Sequence, residues 1–309
     1  MENSARSGAC SLCQGKRYRL ERRGDRAWAK ACSCSADCAL CGGRGYVYEE
    51  RREAFSERVG PRTYEVVAPC SCRSLKRRIE LYSLAQIPSV LAQADFDNYL
   101  TQKSQVLAKQ VAISFAHGYS RSEPPKGFLL SGPVGTGKTH LLAAVLAHLT
   151  LELAVEARYV EISLLYATIR RGFQEGRSGG EIIEPLSNVE VLAIDELGKG
   201  RGSPFELETL EELIARRYNA GRTTLFASNY SVERERRSVH AGSGYRSSED
   251  YKNASRESDL LRERVGERIY SRLCEMCHLV EFPQDTSDYR YTKHEVRWDP
   301  GARGRLSPR

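Results

Sequence analysis

The fold is decided by the stretch Gly132-Pro133-Val134-Gly135-Thr136-Gly137-Lys138-Thr139, which lies between an apolar run (residues 127–130) and a helix-forming run (residues 141–149). A strand, a glycine loop and a helix in this order are the context of a phosphate-binding P-loop. The glycines let backbone N–H groups approach a phosphate chain, and the helix N-terminus adds positive potential. Lys138 is expected to reach the terminal phosphates, and the Thr139 hydroxyl to bind Mg²⁺. The predicted nucleotide-binding residues are Gly132, Pro133, Val134, Gly135, Thr136, Gly137, Lys138, Thr139 and His140.

A second run, residues 189–194, is apolar except for Glu190 and ends in Asp195-Glu196. Such a run is typical of a buried parallel strand, and open α/β sheets bind ligands at the carboxyl ends of their strands. We expect Asp195 to hold Mg²⁺, directly or through water, and Glu196 to polarise the attacking water. The pair therefore predicts a catalytic site next to the P-loop.

Further strands and helices alternate along the chain after the P-loop. We predict strands at 158–162 and 223–227, a helix at 164–173 capped by Ser163, a polar loop at 175–180 and a helix at 205–220. Asn229 follows the strand at 223–227, so its amide is placed to bond the attacking water or the γ-phosphate.

Eight of the ten cysteines form four close pairs in the first 72 residues. The segment contains two copies of one pattern, Cys-x-x-Cys-x-Gly followed by a β-prone excursion and Cys-Ser-Cys. Close pairs on two turns present four thiolates at tetrahedral geometry, which predicts two structural zinc ribbons. The predicted zinc ligands are Cys10, Cys13, Cys32 and Cys34 in the first copy, and Cys38, Cys41, Cys70 and Cys72 in the second.

Other arrangements of these cysteines remain open. In a nested arrangement the outer pairs share one zinc ion and the inner pairs share the other, and disulfides or a redox pair are a further possibility. The last two cysteines, in Cys274-Glu275-Met276-Cys277-His278, match a haem-attachment pattern. They lie on an apolar helical run, residues 260–276, that leads into a strand, so we interpret Cys277 as a core residue.

Composition excludes several classes of protein. The chain has 309 residues, is 40% hydrophobic and carries a formal net charge of +7. It has no apolar run near 18 residues and no apolar signal core at the N-terminus, so we expect a cytoplasmic protein without membrane contact. Residues 1–80 carry 17 basic and 10 acidic side chains, which is the whole excess. Two zinc ions with four thiolates each would reduce it to about +3.

These features divide the chain into segments. We predict a tandem zinc-binding module at 1–74, a helical connector at 75–120, an ATPase domain at 121–292 and a polar tail at 293–309. Residues 231–258 are rich in Ser, Arg and Glu and are interpreted as a mobile insertion that interrupts the ATPase domain.

The ordered motifs resemble those of the DnaC/DnaI/IstB branch of AAA+ ATPases. The resemblance covers about residues 84–292 and rests on the P-loop and on Leu192-Ala193-Ile194-Asp195-Glu196-Leu197-Gly198, Ser228-Asn229-Tyr230 and Glu267-Arg268-Ile269-Tyr270-Ser271-Arg272-Leu273. It implies an α/β fold with a parallel central sheet and no C-terminal helical lid. It also implies that Arg272 is an arginine finger, which reaches the ATP of a neighbouring subunit when ATP drives homo-oligomer formation. Arg268 and Arg217 are rival candidates.

Members of this branch differ in function, so three hypotheses stand. The first is an ATP-hydrolysing helicase loader that binds a replicative helicase and single-stranded DNA. The second is a transposition helper ATPase that binds a transposase and duplex DNA. The third is a nucleotide-gated adaptor that binds its partner through zinc and has negligible turnover. The zinc module favours the loader, because some loaders of this branch carry one, and the intact Lys138, Asp195 and Glu196 set argues against the adaptor.

Overall fold

The computed structural model describes residues 10–35, 38, 40–42, 44–53, 62–232 and 260–292. The chain forms two compact units, one of Met1–Gln93 with Leu146–Ala157 and the other of Ala94–Val145 with Arg158–Arg309. The segment boundaries predicted from the sequence stay predictions.

The first unit contains two antiparallel hairpins and a helix. Strand β1 (Tyr18–Arg23) pairs with β2 (Arg26–Ala31), and β3 (Tyr46–Glu53) pairs with β4 (Arg62–Pro69). Helix α1 (Ser71–Leu84) contacts β2. The small side chains of Ala27 and Ala29 are buried, and the Ala29 N–H donates to Ser83 Oγ at 3.1 Å. The first hairpin therefore has one face packed on α1, and its opposite face consists of the alternate residues.

The described chain after α1 alternates strands and helices. Its helices are α2 (Val106–Gly118), α3 (Lys138–Leu151), α4 (Ile162–Gln174), α5 (Gly179–Asn188), α6 (Pro204–Asn219), α7 (Leu261–Val265), α8 (Glu267–Met276) and α9 (Tyr289–Thr292). Its strands are β5 (Gly127–Ser131), β6 (Ala157–Glu161), β7 (Val191–Asp195), β8 (Thr223–Ser228) and β9 (Cys277–Glu281).

These five strands form one sheet in the order β6-β7-β8-β5-β9. The pairs β7–β8, β8–β5 and β5–β9 are parallel, and every residue of β5, β7 and β8 is buried. Central strands with no exposed residue are covered on both faces, as a parallel α/β sheet requires. The predicted fold class, an α/β fold with a parallel central sheet and a small β-rich cysteine module, is confirmed.

Some local predictions differ from the structure. Ser163 does not cap a helix, because α4 begins one residue earlier at Ile162 and its N-cap is Glu161. The predicted polar loop is followed by an unpredicted helix, α5, which begins at a capping box of Ser178 and Glu181. Gly266, at φ 82°, divides the run 260–276 into α7 and α8.

The described part of the chain after β9 contains one helix, the four-residue α9, and no helical domain up to residue 292. The predicted insertion beyond residue 232 and the predicted tail at 293–309 lie outside the described residues. Among the helices that are described, none is both long and apolar enough to span a membrane.

Candidate nucleotide site and metal centres

The P-loop connects β5 to α3 through backbone conformations that favour glycine. Gly135 and Gly137 have φ values of 78° and 88°. A Cβ atom on Gly137 would lie 2.4 Å from Cε2 of Tyr99, whose hydroxyl donates to the Thr136 carbonyl at 2.8 Å. Both the backbone conformation and the close ring therefore require glycine at position 137.

Lys138 is the first residue of α3, and its side chain is 6% exposed. Its Nζ donates to the carbonyl oxygens of Gly132 and Pro133, at 2.8 and 2.7 Å. Burial lowers the pKa of Lys138 to about 8, and the negative charges of Asp195 and Glu196 oppose this effect. The loop thus holds a buried amine that an anion would stabilise in its charged form.

Asp195 ends β7, at the carboxyl edge of the sheet, and is 4% exposed. Its Oδ2 accepts a hydrogen bond from the Tyr159 hydroxyl at 2.8 Å, and its Oδ1 accepts from the Glu196 N–H at 2.8 Å. Burial raises the pKa of Asp195, while hydrogen bonds from Tyr159 and from the Thr139 side chain act in the opposite direction. A hydroxyl next to a buried carboxylate is an oxygen donor set that suits Mg²⁺, and a cation would offset the buried charge.

Glu196 has a φ of 57°, which is uncommon for a residue with a side chain and indicates local strain. Its Oε2 lies 3.3 Å from Lys199 Nζ and 3.5 Å from Asn229 Nδ2. The approach of Asn229 follows from the parallel pairing of β7 with β8, because both residues follow the carboxyl ends of neighbouring strands. The structure thus brings Asn229 to Glu196, and Thr139 to Asp195, as expected from the sequence; their catalytic roles stay predictions.

The other residues predicted for the nucleotide site belong to the P-loop or are candidate arginine fingers. Val134 is exposed, and His140 Nε2 lies 3.0 Å from the Asp95 carbonyl oxygen. Arg272, on α8, lies 3.5 Å from Glu211 with 30% of its side chain exposed. Arg268, one turn earlier, is 84% exposed. The assignment of either arginine as a finger in trans stays a prediction.

The prediction of Arg217 as a rival arginine finger is wrong. The residue is 0% exposed, so it cannot reach a neighbouring subunit. The guanidinium donates to the carbonyl oxygens of Leu186, Val189 and Thr223, at 2.8, 2.9 and 2.5 Å. Its Nε also donates to Thr224 Oγ1 at 2.8 Å. The last carbonyls of a helix lack partners within it, so Arg217 satisfies the end of α5 and joins it to β8.

Sequence reasoning missed several residues around the loop. Tyr99 contacts the loop at Thr136, and Tyr159 contacts Asp195. Asp288 also approaches the loop: a Cβ atom on Gly135 would lie 1.8 Å from Asp288 Cγ, and the Tyr289 N–H donates to the Gly135 carbonyl at 3.0 Å. Asp288 forms an ion pair with Arg290 at 2.9 Å. The sequence signal for this segment is Ser287-Asp288-Tyr289-Arg290, which resembles an ending found in the DnaC/DnaI/IstB branch but does not indicate what Arg290 does.

The first four cysteines form one cluster and the next four form another, and within each cluster all four sulfur atoms lie within 4.8 Å of one another. The structure therefore favours one site per copy over the nested arrangement. The Sγ–Sγ distances are 3.4 Å for Cys13–Cys34 and 3.6 Å for Cys38–Cys70. Zinc–sulfur bonds of about 2.3 Å in a tetrahedron imply sulfur atoms about 3.8 Å apart, so both clusters fit a zinc ion.

Backbone N–H groups point at these sulfur atoms. The Arg17 N–H donates to Cys13 Sγ at 3.3 Å, and the Gly45 N–H donates to Cys41 Sγ at 3.2 Å. Hydrogen bonds from the backbone of Cys41 and Leu40 lower the pKa of Cys38 to about 6. Such bonds favour the thiolate, the form that binds metal. By contrast, Cys277 is buried among apolar residues of the sheet unit, which confirms it as a core residue.

The fold and this site define a P-loop nucleotide-binding protein with an α/β core. The chain matches the family model described as IstB-like ATP binding protein over residues 55–239, and it belongs to this family. It is 31% identical over 140 residues to "Replicative helicase loader DnaC" of Escherichia coli strain K12, which covers 45% of this chain and 56% of that protein. The DnaC of Buchnera aphidicola is 29% identical over 149 residues, with 46% and 58% covered.

Among solved structures, the chain is similar to the crystal structure of the DnaC helicase loader, with a TM-score of 0.50 and 26% identity. That match covers 63% of this chain and 99% of the other. The chain thus spans slightly more than half the length of the curated relatives named above.

Proposed function

We propose that this protein is a Mg²⁺-dependent ATPase of the DnaC-like helicase-loader type, which binds a replicative helicase and single-stranded DNA. The observation that carries the ATPase proposal is the convergence of the P-loop, a buried Asp195 and a strained Glu196 at one edge of the sheet. Binding alone requires only the loop, whereas a second carboxylate beside the first adds a group for activating water.

Each residue has a separate part in the proposed reaction. The loop N–H groups and Lys138 bind the phosphates, and Lys138 must leave the carbonyl oxygens of Gly132 and Pro133 to do so. Thr139 and Asp195 would hold Mg²⁺, which neutralises phosphate charge. Glu196 orients and polarises the water, and the Asn229 amide, 3.5 Å away, limits the position of its carboxylate. Arg272, supplied by a neighbouring subunit, stabilises the charge that develops on the γ-phosphate.

The loader assignment is supported by the curated relatives named DnaC and by the cysteine module. A second candidate is a transposition helper that acts on duplex DNA with a transposase, which the IstB-like family model supports. The two candidates share the nucleotide site and differ in their partners.

The test uses a variant that binds ATP but hydrolyses it slowly. Tagged Glu196→Gln protein is recovered from its native cells with Mg-ATP, and the proteins recovered with it are identified. Glu184→Gln is the matched control, because Glu184 is exposed on α5. We expect replicative helicase with Glu196→Gln, and less of it with the control. Recovery of a transposase instead supports the second candidate.

A parallel assay tests turnover with purified protein. We expect Glu196→Gln to lower the ATP hydrolysis rate at least 100-fold and Glu184→Gln to leave it unchanged. An equally low rate for the unaltered protein, with and without DNA, would contradict the ATPase proposal and support the adaptor.

A further inference from the structure

The outer face of the first hairpin combines positive charge with an aromatic side chain. Because side chains alternate along a strand, one face of β1–β2 contains three cross-strand pairs, and we call it the β1–β2 outer face. Its pairs are Arg19 with Lys30, Glu21 with Trp28, and Arg23 with Arg26. The opposite face is the one packed on α1.

Arg19, Arg23 and Lys30 are exposed, and Trp28 is partly exposed between them. The Arg23 guanidinium lies over the Trp28 ring, 4.8 Å from its centroid. This contact holds the ring in place through a cation–π interaction. An indole restrained at the surface in this way loses less freedom when a ligand binds.

The acidic groups near this face are few. Glu21 lies on it, and Asp25 lies in the turn, 3.5 Å from Arg26. Residues 16–30 contain seven basic and two acidic side chains, a net charge of +5. A zinc ion with four thiolates at the base of the hairpin would subtract about two charges, which leaves the strand face positive.

The second copy of the repeat provides an internal comparison. Residues 44–69 contain five basic and five acidic side chains, a net charge of zero, and no tryptophan. The outer positions of β3–β4 include Tyr48 and Val67, which face each other across the strands and are exposed. Two hairpins with the same cysteine pattern thus differ in surface, so the positive charge of the first is not a requirement of the zinc-binding fold.

We propose that the β1–β2 outer face binds single-stranded DNA, with Arg19, Arg23 and Lys30 on the phosphates and Trp28 stacked on a base. Proteins that bind single-stranded nucleic acid combine a positive surface with exposed aromatic side chains, because the bases are free to stack and the backbone is charged. Duplex DNA keeps its bases stacked inside and offers Trp28 no partner. The choice of DNA as the strand rests on the proposed role in replication.

The test measures binding of the full-length, zinc-loaded protein to a labelled 25-nucleotide oligo(dT) by fluorescence anisotropy. We expect Trp28→Ala to weaken binding about 5- to 100-fold, and Trp28→Phe, which keeps a stacking ring, to restore most of the loss. We expect Arg19→Ala/Lys30→Ala to reduce the slope of log affinity against log salt by about 1.4. The matched control is Arg51→Ala/Arg52→Ala, because both residues are exposed on β3.

Tryptophan fluorescence provides a direct readout. The chain has two tryptophans, so Trp298→Phe leaves Trp28 as the single reporter. We expect its emission to be quenched by oligo(dT) and less by a duplex of the same length. Zinc content and circular dichroism of each variant show whether the hairpin is folded.

Several results would overturn the proposal: equal affinity of the Trp28→Ala and Arg51→Ala/Arg52→Ala proteins, unquenched Trp28, or stronger quenching by oligo(U) than by oligo(dT). Failure here is distinguishable from failure of the proposed function. If helicase is recovered with Glu196→Gln while Trp28→Ala leaves DNA affinity unchanged, the loader stands and this face has no part in DNA binding. If Trp28 is quenched but no helicase is recovered, the β1–β2 outer face binds DNA and the loader proposal fails.

Discussion

Nucleotide binding above pH 8 is expected to take up a proton at Lys138. Burial lowers the pKa of this amine to about 8 in the free protein. Phosphates bound in the loop would place negative charge beside the ammonium and raise its pKa. The complex therefore keeps its proton to higher pH than the free protein, so uptake is small well below pH 8 and large above it.

The size of the effect follows from the pKa of the free protein, about 8. At pH 9 about one-tenth of the free protein carries the proton, so binding with full protonation takes up about 0.9 proton. The dissociation constant should then be about tenfold higher at pH 9 than at pH 7. At pH 7 about nine-tenths is already protonated, and the uptake falls to about 0.1 proton.

Isothermal titration calorimetry with Mg-ADP at pH 9 measures this uptake when two buffers of different ionisation enthalpy are compared. The control is Lys138→Arg, because a guanidinium stays charged throughout this range. Equal heats in the two buffers for the unaltered protein would refute the reasoning. If the arginine variant does not bind, the unaltered protein alone still tests the reasoning. A dissociation constant that is the same at pH 7 and pH 9 would also refute it.

Three further predictions concern Arg217, Gly137 and the cysteines. Arg217→Met should lower the free energy of unfolding, measured with urea, by about 2–4 kcal/mol, because several buried carbonyl oxygens lose their donor. The control is Arg216→Met. Arg216 is exposed, so this change should alter the free energy of unfolding by less than about 0.5 kcal/mol. Gly137→Ala should abolish Mg-ADP binding in the calorimeter; Gly176→Ala, with a φ of 76° but open space around it, should leave binding intact. The protein should release two zinc ions per chain to a chromogenic chelator after thiol modification. Cys13→Ser should release one and exposed Cys274→Ser two.

Local motifs made the nucleotide and cysteine sites predictable. The P-loop and Asp195-Glu196 are each contiguous, and the zinc ligands form close pairs that repeat in two copies, so each pattern can be read directly from the sequence. Asn229 was also predictable, because residues that follow strands of one parallel sheet meet at the same edge, and β8 lies beside β7 in this structure. Each of these inferences needed a spacing and a strand type but no side-chain packing.

The residues missed by sequence reasoning act across long separations. Tyr99 and Asp288 contact the loop from 37 and more than 150 residues away, and the sequence around each of them does not indicate that contact. Arg217 was misjudged for a related reason. Arginines are mostly exposed, and two of the carbonyl oxygens that bind this one, those of Leu186 and Val189, lie at the end of α5, a helix that was not predicted.

The cysteine repeat shows how far a pattern determines function. Each copy predicts four metal ligands, and the structure places each set of four together. The strands between the ligands need only the two-residue alternation of inward and outward side chains. Their outward residues can therefore vary without loss of the metal site. The first copy has Trp28 among arginines at these positions, and the second has Tyr48 opposite Val67. Because the fold does not require this difference, the two hairpins need separate variants in any binding assay.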